Sequence, residues 1–373
     1  MLVHCFTSTC SLHRESYTYL AAGNKALSQA IQALPWCHVV YVCGGIGAHG
    51  HTLRSVEQFD VKHGTWKRMP PMHYSRCCAG IVAVAGLLYV FGGSTGQLGQ
   101  LRPITGVERF NIQLHTWEVM PRMTRPRAGA SITVLMGNVN ICGGADNGFT
   151  LSSTEVFDVI STSWKWMPPM LEARCGAAAA VINEQLYCCG GRSKNFPALR
   201  SVERFDPKSS IWVQMPPMDK ARSFAQIACI AGWLYVYGGR DYRQELHGGE
   251  RFNFTTGRWE TMPPMLGLHR LGSTTVLAGR LYVYGGISDD KSRHVHRSVE
   301  VLNVTSDAWQ SARAMTKARF AAGSVAVKEK DVYVFGGHDK ARPLCSVEKF
   351  NAASGAWTSV TPMDEVRSHP NAA

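Results

Sequence analysis

Residues 174–218 read RCGAAAAVINEQLYCCGGRSKNFPALRSVERFDPKSSIWVQMPPM. A small apolar run at 177–182 ends in the turn-prone pair Asn183-Glu184. A second run, 185–189, stops at Gly190-Gly191, where a backbone can turn sharply or approach another chain closely. A polar loop leads to 201–205, then to Asp206-Pro207, then to a last short run around Trp212. Four short β-type runs separated by turn residues predict a four-stranded antiparallel meander.

The unit recurs seven times. Its diglycine begins at Gly44, Gly92, Gly143, Gly190, Gly238, Gly285 and Gly336, so that Gly93, Gly191 and Gly239 complete three of the pairs. A Glu follows at 57, 108, 155, 203, 250, 300 and 348. Nine residues after each Glu stands a Trp: Trp66, Trp117, Trp164, Trp212, Trp259, Trp309 and Trp357. Six residues after each Trp a Met closes the unit, at 72, 123, 170, 218, 265, 315 and 363. Three spacings held through seven copies are a repeat, not a coincidence of composition.

Diglycine, Glu-x-aromatic, Trp and Met-Pro-Pro-Met at a period of 47 to 51 residues resemble the kelch repeat. The resemblance runs over about Val39 to Arg367 and implies an all-β chain: a single β-propeller of seven kelch blades, each of four antiparallel strands. Repetition overrides the two or three domains that 373 residues would otherwise suggest, because blades share one ring and bury their faces on each other. The chain divides into an N-terminal segment, 1–34, and a propeller, 35–373. Residues 28–34 fall where the first strand of blade one belongs, and 367–373 begin the first strand of an eighth unit. The ring could be closed by either segment, or by neither well. Kelch-like ligase adaptors carry a dimerisation domain ahead of their repeats, for which 34 residues are too few, so in an adaptor that domain is expected to be missing or supplied by another chain.

The repeated residues have structural roles first. Each Trp is expected to pack between neighbouring blades, burying about 150–250 Å². The seven Glu, being equivalent, are expected to bond within their blades rather than to form a catalytic set. An Arg stands four residues after the closing Met at 76, 127, 174, 222, 319 and 367, with His269 followed by Arg270 in the remaining linker.

In kelch proteins that capture peptides, this Arg, the next residue and the one after the diglycine help form the binding surface. The resemblance therefore implies Arg174, Arg222, Ser223, Arg192, Arg240 and His338. Charge adds Lys194, Arg200 and Arg270. The loop between strands two and three carries almost all the length variation, and it shares a face with the linker between blades. Those loops sum to a formal charge of +6 and the linkers to +6, together the +12 of the whole chain. A basic rim of this kind should steer and hold an acidic or phosphorylated peptide.

The reading is a non-catalytic, cytoplasmic protein-interaction platform. It would serve substrate recognition for a cullin-type ubiquitin ligase, or bind actin, through domains not in this chain. The alternative is an enzyme, since copper oxidases and sugar-processing enzymes share the architecture. His49 with His51 and His294 with His296 are the only His-x-His pairs on variable loops, and they fall short of a converging ligand set. No metal and no cofactor is expected. Nucleic-acid binding is disfavoured because the variable loops offer few stacking rings, Phe149, Phe196 and Tyr242. No apolar run reaches the length of a membrane span, and no basic start precedes an apolar run as in a secretory signal. The twelve cysteines include no Cys-x-x-Cys. Cys43, Cys142 and Cys189 precede diglycines as buried apolar thiols would, and a redox role at Cys77 or Cys175 ranks below packing.

Overall fold

The computed structural model describes residues 39–372 apart from 195–197, 243, 268, 270, 289–292, 329 and 369–370; the segment 1–34, with its candidate strand at 28–34, lies outside them. Seven four-stranded antiparallel sheets form the seven blades of one propeller. Blade four runs Ala178–Ile182, Gln185–Cys189, Val202–Asp206, Ile211–Met215. Its first hairpin closes at Asn183 and Glu184, both left-handed with φ of +50° and +58°, the geometry that suits a two-residue turn between twisted strands. Its second closes at Asp206, whose Oδ1 accepts the N–H of Lys208 at 2.9 Å. Asp60, Asn111, Asp158, Asn253 and Asn303 cap the same turn in other blades, which is why each third strand ends in Asp or Asn.

First strands line the axis. Their hydroxyls reach across to the neighbouring blade: Ser131 Oγ to the Ala177 carbonyl at 2.8 Å, Ser273 Oγ to Ala322 at 2.7 Å, Thr275 Oγ1 to Ser324 Oγ at 2.9 Å. Each Trp sits at a blade seam. Trp212 is 6% exposed and packs among Met167, Met170, Leu186 and Phe205. Its Nε1 donates to the Pro168 carbonyl of blade three at 2.9 Å. Trp117, Trp164, Trp259 and Trp309 make the same bond to Pro70, Pro121, Pro216 and Pro263. In the two remaining seams Trp66 donates to Thr361 and Trp357 to Arg313. The acceptor is a backbone carbonyl just past the fourth strand of the preceding blade, so the bond does not depend on which residue supplies it.

The diglycine is forced by what surrounds it. Gly190 and Gly191 have φ of +62° and +96°. A Cβ on Gly190 would run into the Arg222 carbonyl oxygen and come within 3.2 Å of the Met218 terminal methyl. The closing Met therefore fills the space a side chain would need. The same is true at Gly92 with Met123 and at Gly336 with Met363.

Blade one takes its innermost strand from the far end of the chain. Asn371–Ala372 pair antiparallel with Val39–Cys43, Val42 opposite Ala372 and Cys43 opposite Asn371. Ser368 bridges Ile46, and Arg367 pairs with Glu57. Of the closures open on sequence, the structure uses the C-terminal one.

A channel-mouth face over a layer of buried ion pairs

Beneath the loop face lies a ring of ion pairs. Arg76, Arg127, Arg174, Arg222, Arg319 and Arg367 are all buried, each against the Glu of its own blade: 108, 155, 203, 250, 348 and 57. Arg174 pairs with Glu203 and donates to the Gly190 carbonyl at 2.7 Å. Glu203 in turn accepts the N–H groups of Leu171 at 2.7 Å and Glu172 at 3.0 Å. One carboxylate thus neutralises the Arg and pins the linker that carries it, which satisfies backbone donors that burial would otherwise orphan.

Two expectations change. Arg174 and Arg222 do not reach the surface, because burial against a Glu occupies them; Ser223 is buried as well, donating to the Arg240 carbonyl at 3.2 Å. The basic excess is not confined to one face either. The six buried Arg account for the whole +6 of the linkers, and their Glu partners were counted with the neutral remainder. With those pairs set aside, the loops keep +6 and the rest of the chain carries the other +6.

The face itself is laid down by short backbone bridges. The residue after the diglycine pairs with the residue after the Arg: Ser94 with Cys77, Ala145 with Ala128, Arg192 with Cys175, Arg240 with Ser223, His338 with Phe320. Arg192 and Arg240 therefore take equivalent places on the neighbouring blades four and five, both half-buried, with Lys194 and Arg200 exposed. Arg240 Nε lies 3.8 Å from Glu245. Arg192 Nε donates to Cys175 Sγ at 3.2 Å, and its guanidinium lies 5.1 Å over the ring of Phe224. His338 is half-buried, and burial lowers its pKa; its Nδ1 accepts the Lys340 N–H at 3.1 Å, as the neutral ring does, so it adds shape rather than charge. Arg270 lies outside the described residues. On blades one and two the loops join into a single wall, with Thr52 N–H on the Gly96 carbonyl at 3.0 Å and Leu98 N–H on Gly50 at 2.7 Å. Sequence reasoning missed that wall, and it missed Phe224. The second residue after each repeated Arg is Cys78, Gly129, Gly176, Phe224, Ala321 and His369, and a single phenylalanine among them was the available signal.

The kelch-repeats domain described for KLHDC2, KLHL20 and DRC7 matches this chain over residues 30–239 and 176–372. The chain belongs to the kelch-repeat family. Among curated proteins, human Kelch-like protein 33 is 29% identical over 107 residues, 28% of this chain and 19% of that protein. An F-box/kelch-repeat protein of Arabidopsis thaliana is 33% identical over 89 residues, 24% of this chain and 20% of its own length. Mouse Kelch domain-containing protein 8B is 30% identical over 121 residues, 29% of this chain and 33% of its own. The matched stretches span a fifth to a third of these relatives.

Six blades of this kelch propeller carry the Arg-Glu pair; blade six carries His269-Glu300. The imidazole is buried, with Nε2 2.7 Å from Glu300 Oε1 and Nδ1 against the Gly285 carbonyl. Both ring nitrogens face acceptors, so the charged ring satisfies them together. The titratable neighbours are Glu300 itself and His296, whose ring centroid is 6.2 Å away and whose Nε2 is 2.7 Å from Ser288 Oγ. Burial pushes the Glu300 carboxyl up, but the bonds from His269 and from the Leu266 and Gly267 N–H groups outweigh it and hold it below its ordinary value. The folded pKa being the lower one, the stabilisation is fully present above the unfolded value of about 4.3 and is lost as pH falls through the folded value. Carboxyl-carbon NMR should show Glu300 titrating below about 4.3 in the parent protein and at higher pH in His269→Ala. A parent midpoint at or above the ordinary value would contradict this.

Among the described residues no cluster of three or more His, Cys, Asp and Glu is arranged to hold a metal, and no helix is long and apolar enough to cross a membrane. His294 and His296 lie with ring centroids 5.0 Å apart. Burial pushes the Cys43 and Cys77 thiols up to about 12 and Cys189 higher still, so these are packing groups rather than nucleophiles.

Proposed function

We propose that this kelch propeller is a non-catalytic, cytoplasmic protein-interaction module whose loop face binds an Asp/Glu-rich or phosphorylated peptide. The observation that carries the reading is the loop of blade four. It holds Arg192, Lys194 and Arg200 with no carboxylate between them, and it lies beside Arg240 on the channel mouth. Cations held on a rigid rim raise the encounter rate with an acidic partner and select against basic ones. Family membership supports binding over catalysis. The adaptor reading, substrate recognition for a ubiquitin ligase, draws its support from relatives named Kelch-like and F-box/kelch-repeat. Co-purification with a cullin scaffold would test it.

The charge-reversing double variant Arg192→Glu/Arg240→Glu should weaken binding of a fluorescein-labelled glutamate-rich peptide by roughly tenfold or more and flatten its salt dependence. Its melting temperature should stay close to the parent's, since neither side chain belongs to the buried ion-pair layer. Unchanged binding, or a natural contact segment that proves basic or wholly apolar, would refute the proposal.

A further inference from the structure

The second residue after the repeated Arg has a left-handed backbone in all six linkers where it is described. The values of φ are +57° at Cys78, +61° at Gly129, +65° at Gly176, +58° at Phe224, +55° at Leu271 and +52° at Ala321. The fold asks only for that conformation, and glycine meets it without strain. Phe224 and Leu271 are bulky for that conformation, and of the six Phe224 alone brings an aromatic face. Three further contacts define what the ring does. The Phe224 N–H donates to the Gly176 carbonyl at 2.8 Å. A Cβ on Gly176 would come within 2.7 Å of the Phe224 ring, so the glycine of blade four leaves room for the phenylalanine of blade five. The guanidinium of Arg192 lies over that ring, with Nε on Cys175 Sγ. Three segments from two blades thus converge on the orientation of one cation.

We propose that Phe224 is a positioning residue of the loop face, holding Arg192 at the seam of blades four and five so that its planar guanidinium meets a ligand carboxylate. The proposal rests on the acidic-peptide reading above. A guanidinium held over a ring face has fewer orientations open to it, which reduces the freedom it must lose when it grips a carboxylate with two parallel bonds.

The test is a titration of the fluorescein-labelled glutamate-rich peptide against Phe224→Gly and Phe224→Leu. Gly relieves the left-handed strain; Leu keeps apolar volume without a π face. Phe224→Gly should melt at the parent temperature or above, yet bind about three- to tenfold more weakly. Leu should lose binding to the same degree. In an Arg192→Ala background neither change should weaken binding further. The Arg192 Nε–H resonance, displaced by the ring current in the parent, should return toward its free value in both variants, with no peptide present. Full affinity in Phe224→Gly and Phe224→Leu, while Arg192→Glu/Arg240→Glu binds weakly, would overturn the positioning role alone. No loss in that double reversal would overturn the acidic-ligand reading, and an unmoved Nε–H resonance would overturn the stacking whatever the ligand.

Discussion

Glu203→Ala should destabilise the propeller by about 3–5 kcal/mol, the cost of leaving a buried charge without its partner. Arg174 is buried and would be left with Glu172 alone, whose carboxylate is 3.7 Å from Nη2 but nearly half in solvent and so compensates only in part. The N–H groups of Leu171 and Glu172 would also lose their acceptor. Removing both charges, in Arg174→Met/Glu203→Leu, should cost less than the single change, because apolar groups of similar volume can replace a buried pair. Urea unfolding of the three proteins checks this through the midpoint at unchanged slope. A loss under about 1 kcal/mol in Glu203→Ala, as for a surface pair, would mean the pair is not desolvated as drawn.

Trp212→Ala should cost about 3–5 kcal/mol, from lost burial and the cavity left between blades three and four. Its ring meets Phe205 at 5.4 Å, in a cluster that also holds Cys142 and Cys188 from the two blades. Trp212→Phe should keep most of the packing and lose the Nε1 bond to Pro168, about 1 kcal/mol. Equal losses in the two variants would place the value of this residue in its hydrogen bond rather than its volume.

The fold was legible because it is written seven times. Glu, Trp, Met and diglycine hold fixed spacings since each touches another repeated part: Glu203 the linker at Leu171, Trp212 the carbonyl of Pro168, Met218 the Gly190 backbone. The face was harder to read. A repeated Arg and a variable Arg look alike in a charge count, and the count placed Arg174 beside Arg192. Only the register of the strands separates them, one turned into the blade toward Glu203 and the other out over Phe224. The role of Phe224 was hidden for a related reason: its partner Arg192 lies in the preceding blade, 32 positions back, so no local pattern connects them. Closure was undecided because a two-residue strand has no pattern to recognise.

That closure fixes an order of events when the chain is made. Among the described strands Val39–Cys43 leaves the ribosome first, yet its inner partner, Asn371–Ala372, follows every other one. The Arg367 bond to Gly44 joins positions 323 residues apart. Until then the inner edge of blade one presents unpaired N–H and C=O groups, a template for any passing strand. Six blades can zip to their neighbours as they emerge, while the seam between blades seven and one waits for residues 367–372 to emerge. The interval of greatest exposure to mispairing and to chaperones is therefore set by the length of the message after blade one, and a synonymous codon change that slows elongation there should lengthen it without altering the finished protein.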